Sequence, residues 1–441
     1  MTSDALGTYV QRGRRGLHSP IEGSKGQRLA RLTKTKTWVM APLLALLAML
    51  AALALAQVGV AVANYFFPYY YCYDADRGWG LRPGARGWWR REGKAYVQIN
   101  RDGLRDREHS KEKPPGTFRI AVLGDSYAQA IQVPVEQTFW AVMERRLRAC
   151  PALKGREVEA INFGVDGYGT AQELITLRRD AWKYHPDAVV VEVFLGNDVR
   201  NNSVVLESNR CRPFFIVRDG KLEPVGPFVS SSSYRLWCLA RFDYRGLSPL
   251  AMLRRAFEIL IHPARKPTPD YPYEPALNYN VYKPPADQAW RAAWDVTDAL
   301  IEEISAEAHA HHAMLLVTTL DMGIQAWPDP LVRQNFMHEM GLNDLFYADD
   351  RIAALGKRDG FAVLGLGKPL QAYAQTHRVY LHGFSNTPTG FGHWNEIGHR
   401  VAGELIADRL CDMVGQDAAA ESGHDASLNQ IQANGSRPRQ P

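Results

Sequence analysis

The chain is poor in cysteine, with five in 441 residues. So few cannot build a disulfide scaffold, and no C-x-x-C or other spaced ligand set points to zinc. Cys211 and Cys238 lie in one stretch and form the expected pair if the chain occupies an oxidising compartment. Cys150 is expected at a helix end, buried. The run "HAHH" (His309–His312) suits favourable charge or capping at a helix C-terminus better than metal binding, so neither a metal nor a cofactor is expected. The lipase elbow Gly-x-Ser-x-Gly is missing, which argues against an ordinary α/β-hydrolase. A spread of basic charge is missing too. Residues 1–37 hold eight Lys or Arg against two acids, so of the formal +5 the remainder carries only −1. Binding of nucleic acid through a basic face is not expected.

Charge is absent altogether between Lys36 and Asp74. The run from Trp38 to Phe67 exceeds the roughly 20 apolar residues that span a bilayer as a helix, and lipid leaves helix as the state for a single span. Trp38 at one end and Tyr65, Phe66 and Phe67 at the other resemble interface anchors. The basic flank precedes the span, so that end stays cytoplasmic and the rest lies outside. A cleaved signal peptide is the alternative, with "AVA" (Ala61–Ala63) as the cut, but the apolar run is longer than the roughly 7–15 residues of a signal core. The expected organisation is a basic cytoplasmic tail (1–37), a transmembrane helix (38–66), an aromatic-rich lead-in (67–115), a catalytic-type domain (116–413) interrupted by an insertion at about 199–284, and a disordered tail (414–441). This places the chain in the inner membrane, single-pass, with its main domain on the periplasmic or extracytoplasmic side.

Strand-like and helix-like segments alternate beyond residue 116. "FRIAVLG", "EVEAINF", "DAVVVEVF", "AMLLVTTL" and "FAVLGL" read as buried strands. Helices are expected at Pro134–Arg148, Thr170–Tyr184, about Ala286–Ala308 and about Glu396–Met413, from apolar residues at helical spacing. Alternation of this kind implies an α/β fold, a parallel sheet covered on both faces. Ligands of such sheets bind beyond the carboxyl ends of the strands. There the chain carries Gly124-Asp125-Ser126, "NFGVDGYG" (Asn162–Gly169), "LGND" (Leu195–Asp198) and "GFGHWNEIGH" (Gly390–His399).

These four segments hold the parts for acyl transfer. Ser126 supplies a hydroxyl and His393 a base. The N–H groups of Ser126 and Gly167 and the side-chain amide of Asn197 supply donors for an oxyanion. Gly124 is expected to permit a sharp bend. Asp125 and Asp198 read as turn residues bonded to local backbone, and His399 as structural. In order and spacing the blocks resemble the SGNH hydrolases of the GDSL-esterase superfamily, over about residues 75–413. The resemblance implies a flavodoxin-like three-layer α/β/α sandwich, with Ser126 as nucleophile, His393 as base, and Gly167 and Asn197 in the oxyanion hole.

The chain departs from that family at one point. The acid usually found three residues before the histidine is replaced by Gly390. Three readings stay open: a Ser–His dyad with the ring held by a backbone carbonyl, an acid from another strand end with Asp321 as the specific candidate, or weakened catalysis. Three functions follow: a membrane-anchored esterase acting on an acyl, chiefly acetyl, ester of a cell-envelope glycan; an O-acyltransferase that needs a membrane-bound acyl-donor partner; and a glycan-binding protein with degenerate catalysis. Trp79, Trp88, Trp89 and Tyr96 suggest stacking on sugars.

Overall fold

Buried apolar runs build the centre of the protein. The computed structural model describes residues 23–66, 68–244, 272–275 and 277–435. Expectations for residues 1–22, for Phe67 and for much of the insertion lie outside them. Strands β5 (Thr117–Leu123) and β7 (Ala188–Phe194) are buried at all seven positions, as a parallel sheet covered on both faces requires. With β6 (Glu157–Asn162), β10 (Met314–Leu320) and β11 (Ala362–Gly365) they form a five-stranded parallel sheet, ordered β11-β10-β7-β5-β6. Counting only these strands, the order is 2-1-3-4-5, that of doubly wound flavodoxin-like sheets. The chain steps one way from β5 to β6 and the other way from β6 to β7. Right-handed crossovers therefore put their helices on opposite faces. Helix Phe139–Leu147 packs on the last helix, and helix Gln288–Ala310 packs on Thr170–Arg179 and Tyr347–Asp359.

The five strands agree with the expected segments to within a residue or two at each end. The helices differ more. The last one runs Glu396–Gly435, well past the expected end at Met413 and into the tail that lacks apolar periodicity. It is fastened early on by a disulfide from Cys411 to Cys150, which lies just after helix Phe139–Leu147. Cys211 and Cys238 form a second disulfide.

The aromatic lead-in is not extended chain. It folds into two antiparallel hairpins, β1–β2 (Tyr71–Asp74, Gly78–Leu81) and β3–β4 (Arg86–Trp89, Ala95–Gln98). Tyr70, Trp79, Leu81, Val97 and Ile99 bury themselves with Ile131, Val165 and Tyr168. The last three come from the loops just beyond β5 and β6, so the hairpins sit on the rim where the sheet presents its strand ends. In the insertion, β8 (Phe214–Arg218) and β9 (Lys221–Val225) form another hairpin.

The N-terminal unit, ending at Gly59, is described from Gly23 as helix. That helix continues to Phe66, so it starts well before the expected Trp38. Its Met40–Gly59 segment has a mean hydropathy of 2.2, contains Pro42, and is long and apolar enough to cross a membrane.

Candidate active site

Strand β5 delivers Ser126 to the rim. The chain leaves the sheet at Gly124 and enters a short helix, Ser126–Gln129, whose N-cap is Asp125; the Asp125 carboxylate accepts from the Tyr127 N–H at 2.9 Å. Gly124 is not in the left-handed region. A Cβ there would lie 2.6 Å from Glu192 Oε2, so the glycine makes room for a buried side chain rather than supplying the bend.

His393 comes from the loop before the last helix. Its Nε2 lies 2.8 Å from Ser126 Oγ, within hydrogen-bond reach of the hydroxyl. Its Nδ1 lies 2.7 Å from Glu92 Oε2, and its backbone N–H donates to the other Glu92 oxygen at 2.7 Å. One carboxylate therefore fixes both the ring and the main chain of His393. An unbroken line of hydrogen bonds runs Glu92–His393–Ser126, the nucleophile–base–orienter arrangement of a serine triad.

Glu92 is absent from the sequence reading, and Asp321 does not take the place proposed for it there. The Asp321 oxygens are engaged elsewhere: Oδ2 lies 3.0 Å from His382 Nε2, and Oδ1 accepts from Trp394 Nε1 at 2.8 Å. Nor does a backbone carbonyl hold the His393 ring, because Glu92 occupies Nδ1. The missing acid at position 390 also has a physical reason. Gly390 has φ +86°, and a Cβ there would collide with the Trp327 ring. An aspartate fits neither the backbone nor the space.

Glu92 sits at the tip of the β3–β4 hairpin, and the tip is clasped from outside. Asn386 accepts from Gly93 N–H and donates to the carbonyls of Arg90 and Gly93, all at 3.0 Å. Trp89 Nε1 donates to the Glu92 carbonyl at 2.8 Å. Gly392, φ +73°, is bare where a Cβ would meet Glu92 Oε1. The acid thus reaches the loop only because that loop lacks a side chain there.

The charges reinforce one another. Burial disfavours the His393 imidazolium, but Glu92 outweighs it, with Asp125 and Asp166 adding to the effect, and the ring is raised to about 9. Burial alone would push the Glu92 carboxyl up, yet the facing His393 holds it below its usual range.

Gly167 and Asn197 lie beyond β6 and β7, the two strands that flank β5. The Asp166 carbonyl accepts from Trp79 Nε1 at 3.0 Å, and the Gly167 carbonyl from Arg212 Nη2 at 2.6 Å. A trans peptide points its C=O and N–H in opposite directions. Trp79 therefore fixes the aim of the Gly167 N–H, and the φ of +74° at Gly167 suits glycine. Asn197 is half-buried before the short helix Asp198–Asn201, and its Oδ1 has no partner among the described residues. Asp198 accepts from Phe194 N–H at 2.9 Å, and His399 accepts from Phe139 N–H at 3.3 Å, so each is engaged with backbone rather than with Ser126 or the His393 ring.

The sugar-stacking expectation needs correction. Trp79 is 4% exposed and stacks on Phe242. Trp88 and Trp89 are half-buried, and of the four aromatics only Tyr96 is exposed. At the "HAHH" run, the His311 ring stacks on Trp182 with centroids 4.0 Å apart.

No protein-family model and no curated protein matches the chain. Solved structures do. An acetyl xylan esterase is 12% identical, covering 66% of this chain and 99% of its own, with a TM-score of 0.35. A G-D-S-L family protein from Desulfitobacterium hafniense is 12% identical over the same shares, with a TM-score of 0.31. An acetylxylan esterase from Geobacillus stearothermophilus is 10% identical, covering 69% and 97%, with a TM-score of 0.34. At such scores the chemistry of the site rests on the chain's own residues.

Proposed function

We propose that the chain is a serine ester hydrolase of the SGNH type with a Ser126–His393–Glu92 triad. The observation that carries this reading is the continuous hydrogen-bonded line from Glu92 through His393 to Ser126. His393 Nε2 takes the Ser126 proton as the oxygen attacks the acyl carbonyl. The N–H groups of Ser126 and Gly167 and the Asn197 amide receive the negative charge of the tetrahedral intermediate. Loss of one such donor typically costs about 2.7–4 kcal/mol of barrier. His393 then returns the proton to the leaving alcohol, and the acyl-enzyme is opened by water through the same steps. Glu92 keeps the Nδ1 proton in place and stabilises the imidazolium that forms.

In this proposal the enzyme is held in the inner membrane by the Met40–Gly59 span, with the catalytic domain outside the cytoplasm. The basic excess before Trp38 supports that orientation, and the two disulfides suit an oxidising compartment. A short acyl group, chiefly acetyl, on a cell-envelope glycan is the proposed substrate. The protein is to be incubated with a chromogenic acetyl ester, with and without oligosaccharide acceptors. Free acetate that disappears in Ser126→Ala is the expected result. Acetylated sugar would make the enzyme a transferase, and binding without product would overturn the catalytic reading. A reporter fused after Pro441 should work only outside the cytoplasm; activity of a cytoplasm-only reporter would reverse the topology.

A further inference from the structure

A second histidine lies on the loop that carries His393. His382 is 1% exposed, and both its ring nitrogens face oxygens. Nδ1 is 2.8 Å from the Gly392 carbonyl, which can only accept, so Nδ1 carries a proton. Nε2 is 3.0 Å from Asp321 Oδ2, and one more proton belongs between them. In water imidazole is more basic than an aspartate carboxylate by about 2.6 pH units, which places that proton on the ring. Trp394 Nε1 donates to the other carboxylate oxygen, Asp321 Oδ1, at 2.8 Å. The other polar groups nearby agree. The Tyr127 hydroxyl donates to the same Gly392 carbonyl at 3.2 Å and lies 3.5 Å from Nδ1. Glu274 accepts from the Gly392 N–H at 2.9 Å and adds negative charge. Against this stand burial and the neighbouring His393. Burial opposes the charged ring, yet Asp321 and the Gly392 carbonyl outweigh it and hold His382 above its usual value.

We propose that His382 is a charged imidazolium which, paired with Asp321, positions His393 for the reaction. The role rests on the ester-hydrolase reading; the charge of the ring does not. The geometry joins the pair to both sides of the base. His382 grips the Gly392 carbonyl, and Asp321 grips the Trp394 indole, so the two residues flanking His393 are tied to one ion pair. The His382 carbonyl accepts from Gly390 N–H at 2.9 Å and completes the brace. A shift of about 1 Å in a reacting group can cost about 10²-fold in rate. His382 touches no reacting atom, so it is a positioning residue, and its removal should lower kcat while leaving KM nearly unchanged.

The test uses the full chain in detergent, with ¹⁵N-labelled histidine. Of the imidazolium signatures present at pH 8 in the wild type, one should vanish in His382→Gln. In turnover of a chromogenic acetyl ester, His382→Gln and Asp321→Asn should each lower kcat about 30–100-fold, with KM within threefold. The double variant should be no worse than the worse single one. A neutral His382 ring at pH 7, or full kcat in a folded His382→Gln protein, overturns the proposal. If His382→Gln does not fold, Asp321→Asn and the wild-type spectrum decide. Labelling of wild-type Ser126 by a serine-directed phosphonate separates the two readings. No labelling sinks the esterase and with it the positioning role, while the spectrum still decides the ring charge.

Discussion

At the scale of single residues, one carboxylate governs the base. Neutral His393 is the form that accepts the serine proton, and the ring is raised to about 9. The ratio kcat/KM should therefore rise with pH up to about 9 in the wild type. In Glu92→Gln that limb should move to lower pH, and turnover should fall about 10³–10⁴-fold, as when other triads lose their acid. A pH–rate profile of both proteins checks this; an unmoved limb would mean that Glu92 does not face the ring in solution. The same linkage acts on stability. Stabilisation from the raised His393 is fully present below its unfolded value of about 6.5 and is lost as pH rises through about 9. Stabilisation from the lowered Glu92 is present above its unfolded value of about 4.3 and is lost as pH falls through the folded one. Trp79 offers a finer probe. Trp79→Phe keeps most of the buried ring but removes the donor to the Asp166 carbonyl. The expected loss in kcat is about tenfold, roughly 1.4 kcal/mol of barrier. An unchanged kcat would show that the Gly167 peptide is held without the indole.

At the scale of elements, the lead-in hairpins are part of the proposed active site. A protein beginning at residue 68 should keep phosphonate labelling of Ser126, whereas one beginning at residue 116 should lose it, having lost Glu92 and the apolar patch over Ile131 and Val165. Equal labelling of the two would refute a role for the hairpins. Why these elements escape a sequence reading is instructive. Strands β5 and β7 are largely apolar, with Thr117, Arg119 and Glu192 the exceptions, because both faces are covered, and such runs are visible in any sequence. Strands β1 to β4 are four residues each, mix glycine, arginine and aromatics, and carry no period long enough to detect. Ser126, Gly167, Asn197 and His393 stand out because each follows a legible strand or precedes a legible helix. Glu92 sits in a hairpin turn, 301 residues from its partner, in a stretch where acids look like ordinary turn residues. The available signal was negative: Gly390 and Gly392 leave a gap beside the base, and something must fill it. The length of the last helix beyond Met413 was hidden for a related reason, since the composition there lacks an apolar stripe.

At the scale of the whole molecule, the Cys150–Cys411 bridge spans 261 residues and ties the turn after helix Phe139–Leu147 to the last helix. Removing a native disulfide typically costs about 2–5 kcal/mol. Cys411→Ala should lower the denaturation midpoint accordingly, while activity at low temperature stays within about twofold, because the bridge lies away from the strand ends. A midpoint that is the same with and without reductant would show that the bond does not form in solution.

The placement of Glu92 ahead of the α/β domain has a consequence for how the protein can be shed. With an anchored N-terminus, a protease that cuts just before Tyr71 frees a soluble fragment with its acid in place. A cut between β4 and β5, only a few dozen residues further on, frees a fragment that keeps the sheet, Ser126 and His393 but leaves the acid behind on the tether. The position of the scission alone would decide whether a diffusing enzyme or an inert remnant is set loose.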